Sequence, residues 1–390
     1  MTAYYLSLFT IALCSTWWIY KKVLKIAQLK QIVDNPDARK MQKVPVPVLG
    51  GIAVFFGIII SLTTTGIYFE TSSLFAITGV LVIMLYVGVM DDILSLSPAM
   101  RFLVEIIVVL LLIFCNKYSL NNFHGLWGIG QISEWIAVPL TVLACVGIIN
   151  AINLIDGVNG LCSGYCIVAS FIFGGYFIWA DDQEAASLAV LSIGALLPFF
   201  FHNVFGKKSR MFIGDGGSLM MGTIISSFVI GALNCDSPLA DKVDANFGMI
   251  PFSLSILAIP IFDTVRVMTM RILRKKSPFQ PDRTHLHHLL IDFGFSHIGT
   301  ALSVILSNLI VFAGWLISFL AGASIDMQLY IVIALGMLVT FGFYRFARTQ
   351  QKKDTAVLHI LQRIGKWTHV ERTVGFESIR RFLDRGCDNE

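Results

Sequence analysis

The sequence predicts an all-α, polytopic integral membrane protein with about eleven transmembrane helices. Hydrophobic residues make up 56% of its 390 residues and charged residues only 14%, whereas soluble domains usually carry about 25% charged residues. A helix needs about 17 to 25 mostly apolar residues to cross a bilayer. The runs that approach this condition, some of them short or interrupted, are 3–20, 48–69, 74–90, 102–116, 135–155, 160–180, 186–204, 216–235, 247–266, 299–321 and 328–346.

The first run is predicted to stay in the membrane as an anchor. It has no positive residues before it and no small-residue cleavage site, and Lys21, Lys22 and Lys25 follow it instead. The run 102–116 is short and contains Glu105. The seven cysteines are scattered without paired spacing, so the sequence predicts neither a disulfide framework nor a zinc knuckle.

The basic residues are distributed very unevenly between the two sides of the predicted bundle. If the helices alternate in direction, the connections 21–47, 91–101, 156–159, 205–215 and 267–298 and the tail after 346 share one side. The connections on the opposite side carry only Lys117 and Lys242. Because cytoplasmic loops are enriched in Lys and Arg, the N-terminus is predicted to lie outside and the C-terminus in the cytoplasm.

The sequence divides into a transmembrane domain, 1–346, and a basic, amphipathic cytoplasmic tail, 347–390. The tail has an apolar stripe at helical spacing, formed by Val357, Ile360, Leu361, Ile364 and Trp367. Two arrangements are open for this helix. It lies on the inner membrane surface, or it packs on other cytoplasmic loops.

Four polar clusters interrupt the apolar runs, and all four fall on the predicted cytoplasmic face. Each alone has an ordinary explanation, such as a solvated helix end, a turn or hydrogen bonding between helices. Together they indicate a functional site, because ionisable groups at membrane depth are costly. The clusters are GVMDDILSLSPAMRF with Asp91, Asp92 and Arg101, NAINLIDGVNGL with Asn150, Asn153, Asp156 and Asn159, FIGDGGSLMMG with Asp215, and PFQPDRTHLHHLLIDFGF with Arg283, His285, His287 and His288.

The residue types in these clusters favour a divalent cation and a phosphate-bearing substrate. Carboxylate and amide oxygens suit Mg²⁺, with Mn²⁺ as the alternative. The adjacent Asp91 and Asp92 cannot both stay charged in a pocket of low dielectric constant without a cation or a proton between them. The glycines around Asp215 let the backbone approach phosphates, and the helix that begins there directs partial positive charge to the same place.

The three histidines invite a zinc hypothesis, which the sequence does not favour. In a helix His285 and His288 share one face and His287 points elsewhere, and no cysteine lies nearby.

With these residues in view, the sequence resembles the polyprenyl-phosphate N-acetylhexosamine-1-phosphate transferase family, of the glycosyltransferase 4 type. The likeness runs to about residue 346, and it favours the undecaprenyl-phosphate alpha-N-acetylglucosaminyl 1-phosphate transferase branch. Five motifs carry it in order: DNPDARKMQKVPVPVLGG, GVMDD, NAINLIDGVNGL, FIGDGGS and SPFQPDRTHLHHLL.

The resemblance implies an Mg²⁺-dependent enzyme of the bacterial inner membrane. It would move a HexNAc-1-phosphate, GlcNAc-1-phosphate above all, from a UDP-sugar to undecaprenyl phosphate on the cytoplasmic face and release UMP. This is the first membrane step of a cell-surface polysaccharide pathway. A homodimer embedded in membrane lipid, with no nucleic acid partner, is expected. The implied roles are metal ligation by Asp215 and Asn153, catalysis by Asp91, Asp92 and Asp156, and substrate binding by Arg101, Asn159, Asn203, Arg283, His285, His287 and His288.

Two departures from the family pattern bear on these roles. Asn159 stands where many relatives carry an aspartate, which removes a charge, and Gln42 replaces a histidine of the first inner loop.

Direct displacement by the lipid phosphate is the predicted mechanism, and an aspartyl-phosphate intermediate is the alternative. A polytopic transporter or lipid flippase is the competing function, but such proteins tend to show internal repeats and midplane sites, which this sequence lacks. A structural scaffold would not need converging carboxylates.

Overall fold

A computed structural model describes residues 1–36, 44–65, 72–116, 118–234, 246–279 and 282–387. The predictions that involve Gln42, Lys117 and Lys242 fall outside these residues. Two short antiparallel strands, β1 (Val33–Asp34) and β2 (Val46–Pro47), join an otherwise helical fold. The helices are α1 Thr2–Leu29, α2 Gly50–Thr65, α3 Ser72–Leu94, α4 Pro98–Asn116, α5 Glu134–Leu154, α6 Leu161–Ala180, α7 Gln183–Phe205, α8 Gly214–Leu233, α9 Met249–Leu273, α10 Leu286–Asp292, α11 His297–Leu320, α12 Ile325–Met337, α13 Tyr344–Lys353, α14 Ala356–Trp367 and α15 Val374–Asp384.

The architecture is that of a multi-pass membrane protein. Over the residues that the structure describes, each predicted span overlaps a helix. Within the described ranges, nine helices are long and apolar enough to cross a membrane, one of which is the run Ile325–Lys353. Helix α1 is less apolar than these nine, and α2 covers 16 residues up to Thr65. The count of eleven spans and the orientation of the termini therefore stay predictions.

Helix α8 lies at the centre of the bundle, and glycines let its neighbours approach it closely. A Cβ atom on Gly88 of α3 would overlap the backbone of Gly216, and one on Gly51 of α2 would overlap the backbone of Gly217. Small residues allow this backbone contact between membrane helices. The GDGG motif thus serves helix packing at Gly216 and Gly217, and the phosphate-approach role expected for them stays a prediction.

The start of α8 is fixed by the segment that enters α2. Gly50 N donates to Phe212 O at 2.9 Å, Gly51 N to Ile213 O at 2.8 Å, and Phe212 N to Pro47 O at 2.8 Å. Gly214 then begins the helix with a φ of +72°, a left-handed conformation that glycine adopts without strain. These constraints set the position of the next residue, Asp215.

The tail continues from the membrane bundle without a break at residue 346. A π-helical stretch, Leu338–Phe343, joins α12 to α13, and the chain leaves this helical run at Asp354. Helices α14 and α15 then dock where α11 begins and α7 ends. Ser296 N donates to Thr368 Oγ1 at 2.9 Å, and Ser209 N donates to Asp384 Oδ1 at 3.0 Å. One face of the tail therefore packs on loops, as one of the two predicted arrangements requires.

The close approach of α3 to α8 predicts different outcomes for two glycines of α3. Gly88→Ala should lower the midpoint of thermal unfolding in detergent, because its Cβ has no room against Gly216 and overpacking costs about 1–3 kcal/mol. Gly79→Ala is the matched control, since a Cβ there has nothing within 4 Å. Equal midpoints for the two variants would contradict the packing described here.

Candidate active site

The four polar clusters meet at one end of the bundle, in a single cleft of about 1550 Å³. It lies mainly between α4, α5 and α9 and is closed at the polar end by the ends of α3 and α8 and by the segment that leads into α10. The sequence thus predicted correctly that these clusters would converge. The predicted site residues that line the cleft are Asp91, Asp92, Arg101, Asn153, Asp156, Asp215, His285, His287 and His288.

Arg101, in the first turn of α4, lies among three carboxylates. Its Nη1 atom is 3.0 Å from Asp91 Oδ2 and 3.8 Å from Asp215 Oδ2, and its Nε atom is 3.7 Å from Glu105 Oε1. The other oxygen of Asp91 accepts a hydrogen bond from Leu96 N at 2.7 Å. The guanidinium group therefore links the end of α3 to the start of α8. It also offsets part of the negative charge of the three carboxylates.

Glu105 belongs to this cluster, although no site role was predicted for it. It lies one turn after Arg101, its side chain is 1% exposed, and it accepts a hydrogen bond from Asn150 Nδ2. A carboxylate inside an apolar run is itself a signal of function, because such groups seldom occur in transmembrane segments without a partner. The partner is the arginine four residues earlier, which the i,i+4 spacing could have indicated.

Asp92 holds the N-terminus of α8. Its Oδ1 atom accepts from Asp215 N at 3.1 Å, and its Oδ2 atom lies 3.4 Å from Gly216 N. A helix start leaves such N–H groups without helical partners, and a nearby carboxylate satisfies them and is favoured by the helix dipole. The positive end of α8 is thus occupied by Asp92 in this structure, where the sequence had suggested a phosphate.

Oxygen donors suited to a hard cation stand together at this point. Asp215 Oδ1 accepts from Asn153 Nδ2 at 2.9 Å, so turning the Asn153 amide group over would present its oxygen instead. Among the described residues no three His, Cys, Asp or Glu side chains form a ready-made metal cage. Carboxylates with an amide oxygen match the chemistry of Mg²⁺, which usually keeps several waters and phosphate oxygens as ligands.

Asp156 follows α5 and faces the same group of acids. Burial, and then the charges of Asp215, Asp92 and Asp34, raise the pKa of Asp156 well above its usual range. Asp34 comes from β1 and also lines the cleft, and it was not among the predicted residues. The crowding of like charge is thus a feature of the folded site, as the Asp91–Asp92 pair had suggested.

The histidine segment is tied to α9 by a buried ion network. His285 Nδ1 lies 3.1 Å from Asp263 Oδ2, and Arg266 Nη2 donates to the other oxygen of Asp263 at 2.6 Å. Arg266 also donates to Thr284 O at 2.6 Å and stacks over the ring of Tyr344 at 3.7 Å. Asp263 and Arg266 were missed by sequence reasoning, although an acid and a base three residues apart in an apolar span could have indicated them.

A second ion pair fixes the approach to this segment. Arg271 donates to both carboxylate oxygens of Asp282 at 3.0 Å, and Thr284 donates to Oδ1 of the same carboxylate. Burial alone would raise the pKa of Asp282, but the hydrogen bonds from Arg271 and Thr284 outweigh it and bring the pKa well below its usual range. Asp282 is therefore held by Arg271, and Thr284 is held by Arg266, just before His285.

His287 and His288 are neutral imidazoles in this site. Burial, followed by the nearby His288 and His285, lowers the pKa of His287 well below its usual range. Burial, followed by His285 and Arg283, lowers the pKa of His288 to about 4. His288 lines the cleft, and its buried Nδ1 atom has no hydrogen-bond partner among the described residues, which makes it a candidate for contact with a ligand.

Three predicted substrate-binding residues do not line the cleft. Asn203 uses its side-chain oxygen for Gly160 N at 2.7 Å and its amide nitrogen for Met211 O at 2.8 Å, so it braces two loops. Asn159 is 8% exposed, and its backbone N–H donates to His297 Nδ1. Arg283 is exposed beside the histidine segment. Contacts of these three with a substrate stay predictions.

Beyond the polar cluster, the cleft continues as an apolar groove along the bundle. Helix α4 contributes Phe102, Ile106 and Leu110, and α5 and α9 contribute further aliphatic side chains as far as Val138 and Ile250. The groove reaches Leu120 and Phe123, near the opposite end of the bundle. One cleft therefore joins a charged compartment to a surface that suits a long hydrocarbon chain.

The buried ion network predicts a large difference between two aspartates. Asp263→Asn leaves the guanidinium of Arg266, whose side chain is 3% exposed, without its counter-charge, and breaking such a pair costs about 3–5 kcal/mol. Asp292→Asn is the control, because Asp292 and Arg348 are about one-third exposed and such pairs contribute about 0–1 kcal/mol. Thermal unfolding in detergent measures both. An Asp263→Asn midpoint equal to that of the control would contradict the role given to this network.

Comparisons with known proteins agree with this geometry. The model of glycosyl transferase family 4 matches residues 74–232. A probable undecaprenyl-phosphate N-acetylglucosaminyl 1-phosphate transferase of Bacillus subtilis is 33% identical over 331 residues, 84% of this chain and 88% of the relative. The undecaprenyl-phosphate alpha-N-acetylglucosaminyl 1-phosphate transferase of Escherichia coli K12 is 32% identical over 283 residues, 70% of this chain and 72% of the relative. The chain therefore belongs to glycosyl transferase family 4, in the branch that these transferases represent.

Proposed function

We propose that this protein transfers GlcNAc-1-phosphate from UDP-GlcNAc to undecaprenyl phosphate, giving undecaprenyl-diphospho-GlcNAc and UMP. The names of its relatives support both substrates. The structural observation that carries the proposal is the single cleft, whose charged end and apolar groove fit the phosphate and the hydrocarbon chain of one lipid. The polar end also has space and hydrogen-bonding groups for a nucleotide sugar.

The charge at the polar end supports a divalent cation, which we propose is Mg²⁺, with Mn²⁺ as the alternative. The cleft is lined by Asp34, Asp91, Asp92, Asp156, Asp215 and Asp282, against Arg101 and Arg271. Both substrates add negative phosphates to this excess. Asp215 and Asn153 are the proposed protein ligands, and the cation would supply charge neutralisation at the diphosphate.

The reaction follows as an in-line displacement at the sugar-linked phosphorus. An oxygen of the lipid phosphate forms a bond to that phosphorus, the bond to the bridging oxygen breaks, and this oxygen leaves on UMP. Phosphoryl transfer depends mainly on positioning and electrostatics. We propose that Arg101 binds the diphosphate and that the imidazoles of His287 and His288 hydrogen-bond phosphate and sugar oxygens.

The contacts of Asp91 support a positioning role better than that of a general base. Its two oxygens accept from Leu96 N and Arg101 Nη1, and a phosphate monoester with a second pKa near 6 is mostly ionised at pH 7. Little proton removal is then needed. Asp156 is placed beside the same cluster and stays a proposed catalytic residue.

The setting of the reaction is also a proposal. The bacterial relatives and the apolar helices support a bacterial cytoplasmic membrane, and the skewed distribution of Lys and Arg supports a site on its cytoplasmic face. The resemblance of the sequence supports a homodimer and a role at the start of a cell-surface polysaccharide.

The direct test is an assay with purified protein, undecaprenyl phosphate, Mg²⁺ and separate UDP-sugars. UMP and a lipid-linked GlcNAc-1-phosphate should form with UDP-GlcNAc, stop on chelation and resume when Mg²⁺ is restored. Asp215→Asn should require more Mg²⁺ for half-maximal activity.

Two other outcomes would change the proposal. Labelled phospho-enzyme formed from UDP-GlcNAc alone would favour the aspartyl-phosphate route. Product formation from another UDP-HexNAc alone would change the assigned sugar.

The unpartnered Nδ1 atom of His288 predicts a substrate-binding defect. His288→Ala should raise KM for UDP-GlcNAc at least tenfold, because hydrogen bonds to charged groups contribute about 1.5–3 kcal/mol, and His288→Gln should restore part of this loss. The Mg²⁺ requirement should not change. Because the pKa of His288 is about 4, this contribution should be constant between about pH 5 and pH 8.

His359→Ala is the matched control for this measurement. His359 lies in the tail with its side chain 62% exposed, far in sequence from the cleft-lining residues, and its loss should leave KM unchanged. A selective increase in the Mg²⁺ requirement of His288→Ala would instead restore a metal-binding role for the histidines.

A further inference from the structure

Helix α14 carries an exposed apolar stripe next to the face that docks on the protein. Leu358 and Gly365 are buried in the docked face. The stripe consists of Val357, Ile360, Ile364 and Trp367, which are 37%, 56%, 41% and 74% exposed. The spacing i, i+3, i+7 and i+10 places these four side chains on one side of the helix. Leu361, predicted as part of the stripe, is half-buried at its edge.

The end of α14 lies level with the point at which a membrane span begins. A Cβ atom on Gly299, in the first turn of α11, would overlap the side chain of Thr368. Ser296, the N-cap of α11, bonds Thr368 twice, through its N–H at 2.9 Å and its hydroxyl at 2.7 Å. Trp367 precedes Thr368, so this exposed indole stands at the end of a transmembrane helix, where membrane proteins concentrate tryptophan.

Helix α15 contacts the ends of two other helices, α1 and α7. The ring centroid of Phe382 is 6.1 Å from that of Trp17 in α1, and Lys21 Nζ donates to Arg385 O at 2.7 Å. Asp384 caps the loop that follows α7 through Ser209. The tail is therefore held along the ends of α1, α7 and α11.

The charges beside the stripe complement anionic lipid. Within Ala356–Trp367 the charged residues are Arg363 and Lys366, and the helix has no acid. Both are exposed. By helical spacing Arg363 flanks the stripe on the side away from the docked face, and Lys366 lies one turn along from Arg363. They also belong to the side of the bundle that carries nearly all Lys and Arg, which is the side expected to face anionic inner-leaflet lipids.

We propose that α14 is an interfacial membrane helix. Ile364 and Trp367 enter the boundary between headgroups and acyl chains, and Arg363 and Lys366 bind the phosphates of anionic phospholipids. An amphipathic helix of this kind binds a bilayer weakly by itself. In this protein the docked face and α13 hold α14 beside the membrane. The helix therefore meets the lipid at a high effective concentration and does not have to bind it from solution.

The test uses a fluorophore on the full-length protein in lipid nanodiscs. Alanine replaces Cys14, Cys115, Cys235 and Cys387, which leaves the buried Cys145, Cys162 and Cys166. An environment-sensitive label is attached to Ile364→Cys in the stripe or to His359→Cys on the flank as the matched control. Each protein is placed in phosphatidylcholine discs with or without phosphatidylglycerol and exposed to lipid-borne nitroxide or aqueous iodide.

The label at 364 should show blue-shifted emission, stronger quenching by acyl-chain nitroxide and weaker quenching by iodide than the label at 359. Phosphatidylglycerol should increase the lipid quenching at 364, and the double change Arg363→Glu and Lys366→Glu should abolish that increase. Strong iodide quenching at 364 in both discs would place the stripe in water and overturn the proposal. Shielding from both quenchers would indicate a protein partner, such as a second copy of the chain, and would overturn it equally.

A second measurement avoids the label. The difference in tryptophan fluorescence between the native chain and Trp367→Phe isolates this indole, and brominated lipid should quench that difference signal. An unquenched difference signal would contradict the proposal independently of the cysteine variants.

Discussion

The structure of the site depends on the contact between Asp92 and the first amides of α8. The hydrogen bonds from Asp215 N and Gly216 N join the end of α3 to the start of α8. The glycine contact at Gly88 brings the two backbones close enough for this to happen. Asp215, the proposed metal ligand, is then held opposite Arg101, which is proposed to bind the diphosphate, and opposite the amide of Asn153 in α5.

The cleft combines excess negative charge with an apolar groove, and each property limits what can bind. The acids at the polar end repel free phosphates unless a cation is present, which couples substrate binding to Mg²⁺ in the proposed mechanism. The groove between α4, α5 and α9 favours an acceptor with a long hydrocarbon chain. Neutral histidines add hydrogen-bonding groups without adding charge. The proposed reaction would take place where the charged end of the cleft meets the apolar groove.

The sequence predicted the all-α membrane fold class, the apolar helices and the convergence of four polar clusters, because apolar length and the position of Asp91 or Asp215 at a span end are local properties. It could not show which polar groups bind each other. Asn203, which the resemblance assigned to substrate binding, braces two loops, and Asp263 lies in an apolar run and anchors His285. Both roles arise from tertiary contacts that spacing along the chain does not encode.

The central claim is that Asp92 acts through its hydrogen bonds to α8, and amide hydrogen exchange over residues 214–218 tests it most directly. Asparagine keeps one of the two acceptor oxygens of aspartate, whereas alanine keeps neither. Asp92→Asn should therefore keep the protection of one amide, that of Asp215 with the shorter bond, and Asp92→Ala should lose the protection of both amides. Unchanged protection in Asp92→Ala, or equal loss in the two variants, would contradict the account.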